Sequence, residues 1–255
     1  MQPLSIITDP VFYAWAIPAV LMVGLAKSGF LSGFGALATP LLAMAVPVPQ
    51  AAAILLPLLI IMDFTGVQQM WPQRDHELLA LLVPAGLVGT LVGWALFHFV
   101  SVPAVSLCVG GLTLLFLAQR LFQSSTANAK PKSALWGRIL GVVSGFTSFV
   151  AHAGFPPLSA FVLPLRLPPI RVSATLAVFF TFINLSKLGP YAWLGLLDAS
   201  NLSTSLVLAP LAPLGVWAGV RLTRRVSATW FYRLAYLGMA LAAFKLIAEG
   251  RPLWH

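Results

Sequence analysis

The chain alternates continuous apolar runs with short polar breaks. The runs fall at 9–27, 30–47, 50–70, 78–99 and 103–122, then at 135–153, 155–167, 171–189, 203–221 and 231–249. Most are about 20 residues long, the length at which a helix spans the hydrocarbon core of a bilayer. Outer-membrane strands would alternate apolar and polar positions, and these runs do not. Two runs, 30–47 and 155–167, are short and rich in Gly and Pro. Within Gly24–Pro49 the helix is loosened by Gly29, Gly33 and Gly35 and interrupted by Pro40, Pro47 and Pro49. A similar stretch runs from Gly141 to Pro169. A bilayer accepts irregular backbone only where protein buries it or where it lines a watery cavity. Both stretches are therefore expected near the midplane, as bent crossings or re-entrant arms.

The longest polar stretch, 123–133 (QSSTANAKPKS), divides the chain into 1–122 and 134–255. The two parts resemble each other in order. Ser28-Gly29-Phe30 matches Ser144-Gly145-Phe146, and Ser32 matches Ser148. With a five-residue insertion, Asp63 falls on Asn184; further on, Gly89 falls on Gly215 and Gly93 on Gly219. Paired broken segments in two related halves point to a transporter whose site lies between the repeats. The expected fold is an all-α integral membrane protein of two inverted repeats, each with about five apolar segments. The patterns Gly89–Gly93 and Gly215–Gly219 read as close helix packing, and they would serve a homodimer as well as a monomer.

Composition agrees with this pattern. Hydrophobic residues make up 59% of the 255 positions and charged residues 8%, with mean hydropathy +0.93. A net charge of +9 raises the question of nucleic acid. Its basic residues lie in short loops between spans, however, where membrane orientation explains them. With five crossings per half and the central linker in the cytoplasm, twelve of the fifteen Lys and Arg lie on the cytoplasmic side. Four crossings per half would move the Arg221–Arg233 cluster outside. The positive-inside rule selects five, an odd number that inverts one half relative to the other. A cleavable leader is not expected, because the first residues lack a basic region. Cys108 is the only cysteine, which excludes a disulfide framework or a cysteine metal cluster.

Few residues can carry chemistry. Asp63 lies mid-segment, where a carboxylate costs about 2.5–3.5 kcal/mol on insertion scales. It is either a proton-coupling group or half of an ion pair, with Lys187 as the lysine considered for its partner. Lys27 and Lys187 either snorkel to opposite surfaces or turn inward and bracket a cationic cavity. Ser28, Ser32, Gly33, Gly35, Ser144, Thr147 and Ser148 stand at or beside the breaks. Hydroxyls and freed amides there would favour an anion, although small hydroxyl residues also simply pack helices. His152 could relay protons or donate to an anion, and Asn184 is the neutral counterpart of Asp63. No nucleotide, hydrolase or zinc-protease motif is present, so no enzymatic activity, cofactor or metal is expected.

The stretches Ser28–Ala53 (SGFLSGFGALATPLLAMAVPVPQAAA) and Ser144–Ala177 resemble the sulfite exporter TauE/SafE permeases. Each pairs a Gly-rich run with a Pro-containing turn and a small-residue helix start. The chain departs from the usual glycine run at Ala36 and at Phe149–Gly154, where His152 stands. The resemblance implies transport of a small anion, typically a sulfur oxyanion or organosulfonate, across a bacterial inner membrane. It implies no nucleic-acid partner, only the bilayer and a small anionic substrate. An anion channel is the alternative, and an intramembrane enzyme a weaker one.

Overall fold

A computed structural model describes residues 6–28, 35, 38–46, 48–97, 99, 101–122 and 133–250, and all structural statements concern these. They form eleven α-helices and no strand. The first half holds α1 (Pro10–Lys27), α2 (Ala38–Ala43), α3 (Val48–Met70), α4 (His76–Ala95) and α5 (Val102–Phe122). The second holds α6 (Ala134–Ala151), α7 (Phe155–Val162), α8 (Pro169–Trp193), α9 (Ala199–Leu208), α10 (Leu211–Thr223) and α11 (Ala228–Gly250). Five helices are long and apolar enough to cross a membrane, and a sixth span results if α9 and α10 count as one.

Helix starts follow side-chain chemistry. Asp9, Asp75, Ser133 and Asp198 each accept a backbone N–H of the first turn, which satisfies donors that no helical carbonyl can reach. One expectation needs correction. The run 203–221 is not a single helix. It begins four residues earlier, at Ala199 after the Asp198 cap, and breaks between α9 and α10, which meet at 44°. Pro210 sits at that break; it has no N–H and its ring crowds the preceding turn. The two short runs also resolve into broken structure. The first contains α2, six residues long, and the second contains α7 and a 3-10 turn at Leu163–Leu165. A helix the length of α7 rises only about 12 Å and cannot cross a core of about 30 Å.

Contacts fix helix directions. Gly24 of α1 meets Gly215 of α10, and Ser28 one turn later meets Gly219, so these helices run parallel. Gly89 of α4 meets Val142 of α6 and Gly93 meets Phe149, again parallel. Asp63 of α3 meets Asn184 of α8, while Gly66 meets Ala177, so α3 and α8 are antiparallel. Gly110 of α5 packs on Ala243 and Ile247, and Phe116 joins the cluster of Phe231 and Ala235, so α5 and α11 are antiparallel too. The close pairs are built on glycine. A Cβ at Gly89 would overlap the Val142 carbonyl, and one at Gly145 the Gly86 carbonyl. These small-residue patterns are thus used within the chain.

Directions also settle what the short runs do. Lys27 at the end of α1 touches Asp63, which lies fifteen residues, or about 22 Å, beyond the start of α3. Ser148 near the end of α6 touches Lys187, eighteen residues, or about 27 Å, beyond the start of α8. In each half the chain has to return most of the bilayer thickness before the next long helix begins. In the second half, α7 and the 3-10 turn at Leu163–Leu165 lie on that return.

Candidate functional site

Both returns begin at one place. Lys27, at the last turn of α1, is not at the surface. Its Nζ lies 2.6 Å from Asp63 Oδ1 and 4.8 Å from the centre of the Phe180 ring. The partner of Asp63 is therefore Lys27, and Lys187 does not reach it. Asn184 stands between them. Its amide Nδ2 donates to Asp63 Oδ2 at 2.6 Å, and its Oδ1 accepts from Lys187 Nζ at 3.2 Å. Lys187 Nζ also donates to Ser148 Oγ at 2.8 Å. A single polar chain thus runs Lys27–Asp63–Asn184–Lys187–Ser148 and ties α1, α3, α8 and α6 together. Asp63, Asn184 and Lys187 are buried, Lys187 completely. Such a chain survives in an apolar interior because each buried polar group meets another.

Beside this chain is a cavity of about 90 Å³, lined by Lys27, Gly35, Thr39, Ser148, His152 and Asn184 together with apolar groups that include Leu59 and Phe180. It has room for a small anion with waters, since one water takes roughly 10–15 Å³ on this measure. Asp63 and Lys187 stand one layer behind its wall. His152 occupies the break after α6 in the left-handed conformation, with φ of 50°. Its Nε2 lies 3.0 Å from the Tyr191 hydroxyl, while its Nδ1 is buried without a hydrogen-bond partner. A buried ring nitrogen left open beside a cavity is what a ligand can satisfy.

The other residues named from sequence have different surroundings. Ser144 donates to the Gly154 carbonyl at 2.7 Å, and the Thr147 hydroxyl lies 2.8 Å from the Val143 carbonyl and 3.1 Å from that of Ala153. Both hydroxyls tie down the break around His152. Ser28 donates to Leu25 of its own helix at 2.6 Å and packs on Gly219. Ser32 and Gly33 lie outside the described residues. Phe180, Ser173 and Tyr191 were not named from sequence. Their signal is helical spacing: Ser173, Ala177, Phe180, Asn184, Lys187 and Tyr191 recur at three or four residues and form one face of α8. Read from Asn184 in both directions, that face could have been found.

A model of the family described as sulfite exporter TauE/SafE matches residues 16–246. The chain belongs to the sulfite exporter TauE/SafE family. It is accordingly a multi-pass membrane protein of a transporter family. Comparison with curated proteins and with solved structures gave no match. In this TauE/SafE member the match extends over both halves of the chain, from within α1 to within α11, and so takes in every group of the polar chain.

Proposed function

We propose that this protein carries a small sulfur oxyanion or organosulfonate, such as sulfite, across the bacterial inner membrane, and binds it in the cavity between the two halves. One observation carries the reading: a donor-rich cavity with a lysine in its wall sits inside an otherwise apolar helical bundle. Lys27 contributes positive charge, Ser148 and Asn184 contribute donors, and His152 has an open ring nitrogen. An anion in a bilayer interior needs such groups, because losing water without replacement donors is costly. The cavity wall is shared by α1 and α3 of the first half and α6 and α8 of the second. Movement of one half against the other would open it to each side in turn.

The same proposal includes inverted repeats. Corresponding helices α3 and α8 run antiparallel, as do α5 and α11, while α1 pairs with α10 much as α6 pairs with α4. This is the pattern expected if a two-fold axis in the membrane plane relates the halves. Both termini then face the periplasm, and the 123–133 linker faces the cytoplasm.

The decisive test is flux through purified protein in liposomes, with sulfite, thiosulfate and methanesulfonate compared. Uptake of at least one, reduced at least tenfold by Ser148→Ala combined with His152→Ala, is the expected result. An absence of flux for every anion under every imposed gradient would remove the reading. Single-channel currents in planar bilayers would replace a carrier by a channel.

A further inference from the structure

The polar chain contains one buried lysine, Lys187, one partly buried lysine, Lys27, and one carboxylate. The ion pairs among the described residues are Lys27–Asp63 and Arg171–Asp75. Both oxygens of Asp63 are occupied, Oδ1 by Lys27 and Oδ2 by Asn184. Lys187 is completely buried, and its Nζ meets only neutral oxygens, Ser148 Oγ and Asn184 Oδ1. A permanently charged ammonium in that position would lack a counter-ion within a bilayer, which is among the costliest arrangements a membrane protein can hold. Lysine, unlike arginine, can shed its proton when buried. The two oxygens that hold Lys187 both belong to residues that line the cavity. An anion there would sit close to Nζ and supply the missing counter-charge.

We propose that Lys187 is the proton carrier of this transporter: its amine is neutral over an empty cavity and takes up one proton when an anion of single negative charge enters. This rests on the anion-carrier reading above. The lone pair on Nζ accepts a proton that arrives from bulk solution, as hydronium relayed through cavity water or on the acid form of the substrate, and the ammonium formed balances the bound anion. Release reverses both steps. The buried site is then electrically neutral when empty, with Lys27 and Asp63 cancelling, and neutral when loaded. Neither state leaves an unpaired charge in the bilayer during the movement, so the transport is an electroneutral symport of proton and anion. The other titratable groups around Lys187 are Lys27 and Asp63 across Asn184, and His152 and Tyr191 on the next turn of the polar cluster; Lys245 on α11 acts on His152. Of these, Lys27 and Asp63 hold each other.

Methanesulfonate suits the test, because it is a monoanion without a titratable proton near neutrality. Protons taken up per sulfonate bound are measured on purified protein in weakly buffered solution with a pH indicator. Flux is followed in liposomes at varied membrane voltage. Wild type should take up about one proton per sulfonate, and its flux should ignore voltage. Lys187→Arg, with a fixed charge, should still bind sulfonate, take up no proton and become voltage-sensitive. Lys187→Met should take up no proton and bind at least tenfold more weakly. The paired change Lys27→Met with Asp63→Asn should bind more weakly yet keep the proton ratio, as should His152→Gln. These last two decide the matter even if both Lys187 variants fail to fold. Proton uptake that persists in Lys187→Met, or disappears in the Lys27/Asp63 pair or in His152→Gln, overturns the inference. Wild-type transport of sulfonate without proton uptake also overturns it and leaves the carrier reading standing. A wild type that binds none of the three anions overturns both.

Discussion

At the scale of single residues, Asp63 is the most informative position. Its carboxylate holds Lys27 at the end of α1 and Asn184 at the centre of α8. Asp63→Asn keeps the shape and leaves Lys27 without its charge partner. Breaking a fully buried pair costs roughly 3–5 kcal/mol. Lys27 keeps some exposure, with 15% of its side chain accessible, so a loss toward or below the lower bound is expected in thermal unfolding in detergent. Adding Lys27→Met should restore stability, whereas adding Lys187→Met should not, because Lys187 does not touch the carboxylate. Rescue by the Lys187 change alone would mean that the pairing differs from the one described. The other informative residue is Tyr191. Its hydroxyl orients His152 from the side opposite Nδ1. Tyr191→Phe should leave the fold intact and weaken anion binding about three- to tenfold, in line with loss of one net hydrogen bond of about 1 kcal/mol. Unchanged affinity would separate His152 from the site.

At the scale of elements, the fold depends on two seams where backbones nearly touch. In the α4–α6 seam, Gly89 and Gly145 leave no space for a side chain. Close approach of this kind is what drives association of apolar helices when lipid is as apolar as the side chains. Gly145→Val should cost at least about 1–3 kcal/mol through forced separation of the helices. Gly111 on α5 has open space around its Cα, so Gly111→Ala should be neutral or slightly stabilising, by up to about 1 kcal/mol from helix propensity. Melting temperatures of the two variants in one detergent check both. Equal effects would show that the seam is looser than the contacts imply. The break between α9 and α10 is an element feature of a different kind. It was hidden in the sequence because Leu206–Val220 is apolar throughout, and periodicity does not register a bend. Pro210 was the visible mark, but proline alone does not separate a kink from a break, as Pro18, Pro57, Pro84 and Pro190 lie inside continuous helices.

At the scale of the whole molecule, the prediction is topology. A single cysteine placed at Ser125 in a Cys108→Ser background should be shielded from an impermeant thiol reagent in intact cells and react in inverted vesicles. Labelling in intact cells would invert the proposed orientation. The distribution of aromatic side chains is consistent with the proposal. Trp71, Trp136 and Trp230 are exposed at the ends of helices where Arg74, Arg138 and Arg233 gather, and Trp94 and Trp193 are exposed at opposite helix ends. Tryptophan at both water interfaces is the arrangement a bilayer selects.

The sequence by itself determined the class of the protein. Continuous apolar runs of span length leave a helical membrane protein as the only economical reading, because every backbone N–H and C=O in a bilayer needs a partner within its own segment. Paired Gly/Pro breaks, together with the spacing between Asp63 and Asn184, marked the region of the cavity in each half. The tertiary structure alone decided which groups meet. Lys27 is distant from Asp63 in sequence, and whether it snorkels or turns inward depends on where α1 ends relative to the middle of α3. Ser28 and Ser144 occupy matching places in the two halves. One satisfies its own helix against α10, and the other reaches across the break after α6 to the Gly154 carbonyl. A hydroxyl carries no label for its eventual partner, so this difference arises only once helices pack and each buried polar group takes the nearest partner available.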